Sequence, residues 1–324
     1  MRAAVAVAQN FESPLDGLSL REVPDPVPPV GWTRIRVRAA ALNPHDTWTL
    51  RGIGHPAERL PIVLGCDAAG VTDDGREVVV HPVMGDALRG GGDQTLDPQR
   101  ALLSETIDGA LAEYIVVPDE LVVPKPDGLT WAEAGALGVA WGTAYRMLFT
   151  RAGVRAGDRV LVQGGSGGVG SAAIALAAAA GARVYATART GDKARFAREC
   201  GASAVFAPGE RLPERVDAVV ETVGEATWAS SLRALRPGGI VVVAGATSGA
   251  MPPAELQRVF YNQLRISGST GCTRGEFEAM LRLVEVAGIR PRVTTITFDE
   301  IPAGFRRLLD GDVLGKLVVE LPPS

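Results

Sequence analysis

The stretch RVLVQGGSGGVGSAAIALAAAAGARVYATART, residues 159–190, runs from an apolar segment through a glycine-rich break and an alanine-rich segment into a second apolar segment. The apolar segments read as strands and the alanine segment as a helix, which together make one β-α-β unit. Gly165, Gly167 and Gly170 form a G-x-G-x-x-G set between the first strand and the helix. In that setting Gly165 is expected to permit the tight turn, Gly167 to let backbone approach a diphosphate, and Gly170 to let the helix lie close on the sheet. The helix start supplies unpaired N–H groups and the positive end of the helix dipole. The loop, with Ser166, Gly168 and Val169 completing it, is therefore expected to bind a dinucleotide.

The residues after the second strand point to which dinucleotide. An NAD site places a carboxylate there for the ribose 2′-hydroxyl, whereas this chain has Thr187, Ala188, Arg189 and Thr190, with Lys193 nearby. Arg189 and Lys193 suit a 2′-phosphate, so NADPH is the expected cofactor. The alternative reading makes both of them solvated cations at a helix start.

Working outward, the segments "AVF", "VDAVVE", "GIVVVAG" and "LRISGS" are further strands separated by helical patterns, which implies a doubly wound parallel sheet. Before residue 124 the pattern is different: "AAVAV", "TRIRVRAAAL", "REVVVHPV" and "AEYIVVP" are short β runs punctuated by proline clusters, as in an antiparallel barrel. After residue 270 come a helix, "RGEFEAMLRLVEVAG", and two runs, "RVTTITF" and "GKLVVEL", that return to the first pattern. The α/β chain is thus expected to divide into a β-barrel domain, residues 1–124 and 271–324, and an inserted Rossmann domain, residues 125–270. The stretch "GDALRGGGDQTLDPQ" is the candidate for a mobile loop.

Of the 324 residues, 46% are hydrophobic and 22% charged, and the formal charge is -4. A mildly acidic chain has no general attraction for phosphate backbones or anionic lipid, so neither nucleic acid nor membrane is an expected partner. Cys66, Cys200 and Cys272 are odd in number and widely spaced, which suggests no disulfide framework and fits a reducing cytoplasm. The longest apolar stretch, "AAIALAAAA", is too short to span a bilayer.

Segments along nearly the whole chain, among them "ALNPHDTWTLRG", "PIVLGCDAAGV", "GALAEYIVVP", "VLVQGGSGGVG" and "GDVLGKLVVEL", resemble the medium-chain dehydrogenase/reductase superfamily of zinc alcohol dehydrogenases and zinc-free quinone oxidoreductases. The resemblance implies a GroES-like barrel for the first domain. It also implies that the zinc ligands are lost: Asn43, Cys66 and Val139 stand where zinc members carry Cys, His and Cys, and residues 84–107 lack the cysteines of a structural zinc lobe. No metal is expected. A competing arrangement draws on Cys66, His45, His81 and Asp67.

What remains is hydride transfer from NADPH to a small molecule already activated by conjugation, such as an enone, a quinone or an enoyl thioester, with carbonyl reduction as the alternative. A non-catalytic cofactor-binding role is the second class. The resemblance places Asn43, Trp48 and Thr143 at the chemistry. It adds Thr222, Val223, Gly245, Ala246, Thr247, Ser269, Thr270 and Lys316 to the cofactor contacts. A homodimer paired through the edge of "LRISGST" is expected.

Overall fold

The computed structural model describes residues 1–322. Two compact units emerge: residues 140–272 with 286–292, and residues 1–139 with 273–285 and 293–324.

The first of these is a six-stranded sheet in which every pairing is parallel. Its strands are Arg159–Val162, Arg183–Thr187, Ala204–Phe206, Val216–Glu221, Leu235–Val243 and Arg265–Gly268. Numbered along the chain, their spatial order is 3-2-1-4-5-6. That order reverses direction at Arg159–Val162, and such a switch point opens a crevice at the carboxyl ends of the strands. The central strands are apolar throughout because both faces are covered: Val160, Val162, Val219 and Val241 are fully buried. The helix Gly168–Ala179 buries Ala172, Ala173, Ile174, Leu176 and Ala177. Its alanines favour helix and, being small, leave little standing between helix and sheet.

In the other unit the ten-residue strand Trp32–Ala41 is the organiser. Ile35, Val37 and Ala39 point into the core and alternate with Arg34, Arg36 and Arg38, the period of two that "TRIRVRA" announces. This strand pairs antiparallel with Ala69–Thr72, Tyr114–Pro118 and Lys316–Glu320. The Lys316–Glu320 strand also pairs with Val293–Ile296, in parallel. The core joins Ile35, Val37, Leu42, Leu64, Val80, Ile115, Phe305 and Leu317.

The boundary expected at residue 124 lies instead at 139. The helix Trp131–Ala134 and the turn after it pack on the barrel: Ala132 and Ala136 cluster with Ala39, Ala41 and Val318. A Cβ on Gly135 would fall 2.8 Å from Ala39 Cβ, so that approach is as close as a glycine allows. The second boundary shifts too, since residues 273–285 join the barrel unit and 286–292 the parallel-sheet unit. The helix Arg274–Val286 buries Phe277, Met280, Leu281 and Val284, an i, i+3, i+4, i+7 stripe.

The glycine- and aspartate-rich segment folds around one buried carboxylate. Asp97 accepts from the Arg89 guanidinium at 2.8 Å and from the Asp86 and Gln99 backbone N–H groups at 2.7 and 2.9 Å. Short strands Val83–Met84 and Ala101–Leu102 close the segment at its base.

Candidate functional site

The glycine-rich loop follows the strand Arg159–Val162 and leads into the helix Gly168–Ala179, with Gly167 at the N-cap and no side chain capping it. The tight turn belongs to Gly164, whose φ is +67°, and not to Gly165 as the motif spacing suggests. Gly165 serves close packing: a Cβ there would lie 2.9 Å from Ala186 Cβ and 3.0 Å from Ile174 Cδ1. At Gly170 a Cβ would lie 2.3 Å from the Gly164 carbonyl oxygen. Gly167 differs from both, because a Cβ there would meet nothing nearer than 3.7 Å. That open space at an uncapped helix start is a cradle for an anion, and it fits the diphosphate of a dinucleotide. Ser166, Gly168 and Val169 lie in the same turn.

Beyond the second strand, Arg189 is exposed, and among the described residues its guanidinium has no partner. Thr190 caps the helix Gly191–Glu199 by accepting from the Lys193 N–H at 3.3 Å, which accounts for its hydroxyl. Thr187 is also structural. Its hydroxyl donates to Gln163 Oε1 at 2.7 Å and accepts from the Gly164 N–H at 3.2 Å, while its carbonyl accepts from the Gly165 N–H. It therefore holds the glycine loop in place and is not a free contact, a correction to the sequence-based expectation.

A buried carboxylate that the sequence did not single out organises the next turn. Glu221 ends the strand Val216–Glu221 and is fully buried. It accepts from the Val223 and Gly224 N–H groups at 2.8 and 3.0 Å, from the Thr227 hydroxyl at 2.9 Å and from the Ser231 hydroxyl at 2.6 Å. Ser231 in turn accepts from Gln163 Nε2, so one polar chain runs Thr187–Gln163–Ser231–Glu221 across three strand ends. Thr222 and Val223 are held by this network. The turn 245–247, which contains Ala246, is tied to them through Thr247, whose N–H and hydroxyl both donate to the Thr222 carbonyl. Ser269, beside the exposed Thr270, has a buried hydroxyl without a partner among the described residues, and its N–H donates to Val243 O.

In the barrel unit, Asn43 caps the helix Pro44–Arg51. Its amide is fully engaged: Nδ2 donates to Ala41 O at 3.2 Å and to Asp67 Oδ2 at 2.9 Å, and Oδ1 accepts from Lys316 Nζ at 2.5 Å. Two expectations are corrected by this. Asn43 has no N–H left to orient a substrate, and Lys316 is neither a surface lysine nor a free cofactor contact. The Lys316 ammonium is buried, pairs with Asp67 Oδ2 at 3.0 Å and donates to the Leu42 carbonyl at 3.0 Å. Trp48, half-buried in the same unit, and Thr143, buried in the other, keep donors with no partner among the described residues.

Zinc does not fit the positions where zinc members bind it. Asn43 Oδ1, its only candidate ligand atom, accepts from the buried Lys316 ammonium, Val139 has no ligating side chain and gives its N–H to Asp67 at 2.6 Å, and the same ammonium pairs with Asp67. A different cluster does assemble nearby in the chain. Cys66 Sγ lies 3.3 Å from His45 Nδ1 and 3.1 Å from the Leu103 carbonyl oxygen. The other ring nitrogen, His45 Nε2, lies 2.8 Å from Glu105 Oε1. Asp46 completes the group, with one ligating atom each from His45, Asp46 and Cys66 within 4.8 Å of one another. Of the four residues in the competing arrangement read from sequence, only Cys66 and His45 meet. His81 instead packs against Phe277 with the rings tilted, at 5.3 Å between centroids, and Asp67 belongs with Lys316.

The charges in this cluster are strongly perturbed. Burial works against a charged His45 ring, but the Cys66 sulfur, Glu105 and Asp46 outweigh it and push the imidazole up to about 11. Burial raises the Asp46 carboxyl to about 6 and pushes the Cys66 thiol up. Burial opposes charge on Glu105 as well, yet His45 and the Leu102 N–H hold its carboxyl below the usual range.

A doubly wound sheet with a glycine cradle, in one chain with a GroES-like barrel, defines a class of nicotinamide-dependent dehydrogenases and reductases. Residues 168–286 match the zinc-binding dehydrogenase family and residues 29–127 the alcohol dehydrogenase GroES-like domain. An acryloyl-coenzyme A reductase of Metallosphaera sedula is 31% identical over 322 residues, covering 94% of this chain and 96% of its own. The crystal structure of an NAD-dependent alcohol dehydrogenase superposes with a TM-score of 0.92 at 34% identity, covering 99% of this chain and all of that one. The crotonyl-CoA carboxylase/reductase AntE in complex with NADP gives 0.90 at 25% identity, covering 99% and 94%. The chain belongs to the medium-chain dehydrogenase/reductase superfamily and is an oxidoreductase. Among its described residues no helix is long and apolar enough to cross a membrane.

Proposed function

We propose that the protein is an NADPH-dependent reductase of activated carbon–carbon double bonds, with a 2-enoyl thioester as the preferred substrate class. The observation that carries the reading is the loss of the family's metal ligands: of the three positions, Val139 has no donor side chain and Asn43 is tied to the buried Lys316 and Asp67. A metal Lewis acid held by those ligands stabilises an alkoxide, and an unactivated alcohol or ketone needs either it or a strong proton donor. A conjugated thioester needs less, because its own carbonyl delocalises the charge that hydride addition creates. The similarity to acryloyl- and crotonyl-CoA reductases supports the same substrate class.

Gly167 and the helix start after it would hold the cofactor diphosphate, and Arg189 the 2′-phosphate. When bound, NADPH supplies the hydride. The chain's own residues position and polarise. The Glu221–Ser231–Gln163–Thr187 network fixes the loops that carry Gly164 and Val223, so the cradle is formed before a ligand arrives. Of the three residues expected at the chemistry, Trp48 and Thr143 each keep a donor unpaired among the described residues, and Asn43 does not.

The test is NADPH oxidation followed with 2-enoyl thioesters, enones, quinones, and saturated aldehydes and ketones at matched concentrations. The enoyl thioesters should turn over fastest. Faster turnover of a saturated carbonyl compound would contradict the proposal and favour carbonyl reduction, whereas faster turnover of quinones would move the substrate class.

A further inference from the structure

We infer that His45, Asp46 and Cys66 form a binding site for one divalent transition-metal ion, a site that keeps one position of the zinc members' ligand set, Cys66, and draws its other two ligands from residues outside that set. Three observations converge on it. First, the three donors are an imidazole nitrogen, a thiol sulfur and a carboxylate oxygen lying within 4.8 Å of one another. Zn–S and Zn–N bonds of about 2.3 and 2.0 Å at a tetrahedral angle place S and N about 3.5 Å apart, and Cys66 Sγ to His45 Nδ1 is 3.3 Å.

Second, the ring is oriented from behind. Glu105 Oε1 holds His45 Nε2 at 2.8 Å, and Glu105 is itself fixed by the Leu102 N–H at 2.7 Å on its other oxygen. A carboxylate on one imidazole nitrogen directs the other nitrogen to a metal, and such outer partners recur in metal sites. Asp46 is held in the same manner by the Asn43 and Gly65 N–H groups at 2.8 and 2.9 Å, one on each oxygen.

Third, the segment that closes over the sulfur is strained and polar. Ser104 has a left-handed backbone, φ +66°, and its fully buried hydroxyl has no partner among the described residues. It stands between Leu103, whose carbonyl touches Cys66 Sγ, and Glu105. A strained residue and an orphaned buried hydroxyl beside the sulfur call for an explanation, and a bound ion with its own water ligand supplies one.

The donor set selects the ion. Sulfur with imidazole suits Zn²⁺ or Co²⁺ and disfavours Mg²⁺ and Ca²⁺, which take oxygen ligands. On binding, the protons carried by Sγ and Nδ1 pass to solvent and the metal–sulfur and metal–nitrogen bonds form, with no change of oxidation state. The ligands are not those of the Lys316–Asp67–Asn43 cluster, although the Asn43 N–H holds Asp46, so the site departs from the expectation of no metal without restoring the zinc members' ligand set.

The experiment uses Co²⁺ as the probe on full-length protein stripped with a chelator, and it needs no turnover. One Co²⁺ per chain should bind, with a thiolate-to-cobalt charge-transfer band in the near ultraviolet. Cys66→Ser should abolish the band. Glu105→Gln should weaken binding by about 10- to 100-fold while keeping the band, and Cys200→Ser and Cys272→Ser should leave both unchanged. Absence of the band in the wild-type chain, its survival in Cys66→Ser, or its loss in Cys200→Ser would each overturn the inference. The wild-type titration decides even if a variant fails to fold.

Discussion

Gly167 and Gly170 are the same amino acid meeting different demands, and substitution separates them. At Gly170 a Cβ collides with a backbone oxygen at 2.3 Å, so Gly170→Ala should destabilise the fold by about 1–3 kcal/mol, read by chemical denaturation. At Gly167 a Cβ enters open space, so Gly167→Ala should leave stability within about 0.5 kcal/mol and weaken dinucleotide binding. Arg189→Ala should weaken NADPH by roughly 1–3 kcal/mol and leave NADH unchanged; equal losses for both cofactors in a titration would remove the 2′-phosphate contact. The glycines were legible because a local motif needs only neighbours. Even so, the turn fell to Gly164, since spacing alone does not say which of two adjacent glycines takes the positive φ. Asn43 and Lys316 were misread for the opposite reason: their partners lie 24 and 273 residues away, and no local pattern reports that pairing. The His45–Cys66–Glu105 contacts, spanning 21 and 60 residues, were hidden in the same way.

Strands and helices carried more of their information locally. The six strands of the parallel sheet were read from apolar runs that a sheet covered on both faces requires. The barrel strand Trp32–Ala41 was read from "TRIRVRAAAL" as a short β run between turn signals, and the structure shows its arginines alternating with buried residues. The lobe at 85–102 was not, because Gly and Asp in loops resemble each other whether or not a buried acid organises them. Asp97 does so here: the Arg89 guanidinium, then the Asp86 and Gln99 N–H groups, hold its carboxyl well below the usual carboxylate range. A depressed folded pKa gives stabilisation that is present above the unfolded value, about 4, and is lost as the pH falls through the lower folded value. Protection of the Asp86 and Gln99 amides, measured as the exchange rate relative to the intrinsic rate at each pH, should therefore be high at neutral pH and fall in strong acid. In Asp97→Asn it should be low already at neutral pH, and unchanged protection in that variant would contradict the role.

At the scale of the whole molecule, the division into a barrel and an inserted parallel-sheet unit was legible, while its boundaries moved by up to 15 residues because Trp131–Ala134 finds its apolar partners on barrel strands. We propose that the exposed edge strand Arg265–Gly268 pairs with its counterpart in a second copy. Ile266 on that strand is exposed, as are Leu256, Phe260 and Tyr261 on the preceding helix, an unusual concentration of uncovered apolar side chains in one stretch of chain. Light scattering should give twice the 33.8 kDa chain mass, and Ile266→Lys should restore the single mass; a wild-type monomer at micromolar concentration would exclude the pairing. The central claim, hydride delivery to the β-carbon of a conjugated thioester, is tested most directly by locating the hydrogen itself. With NADPH deuterated at the transferring C4 position and a 2-enoyl thioester, the label should appear at the β-carbon of the saturated thioester. Label at the carbonyl carbon of an aldehyde or alcohol product would contradict the account.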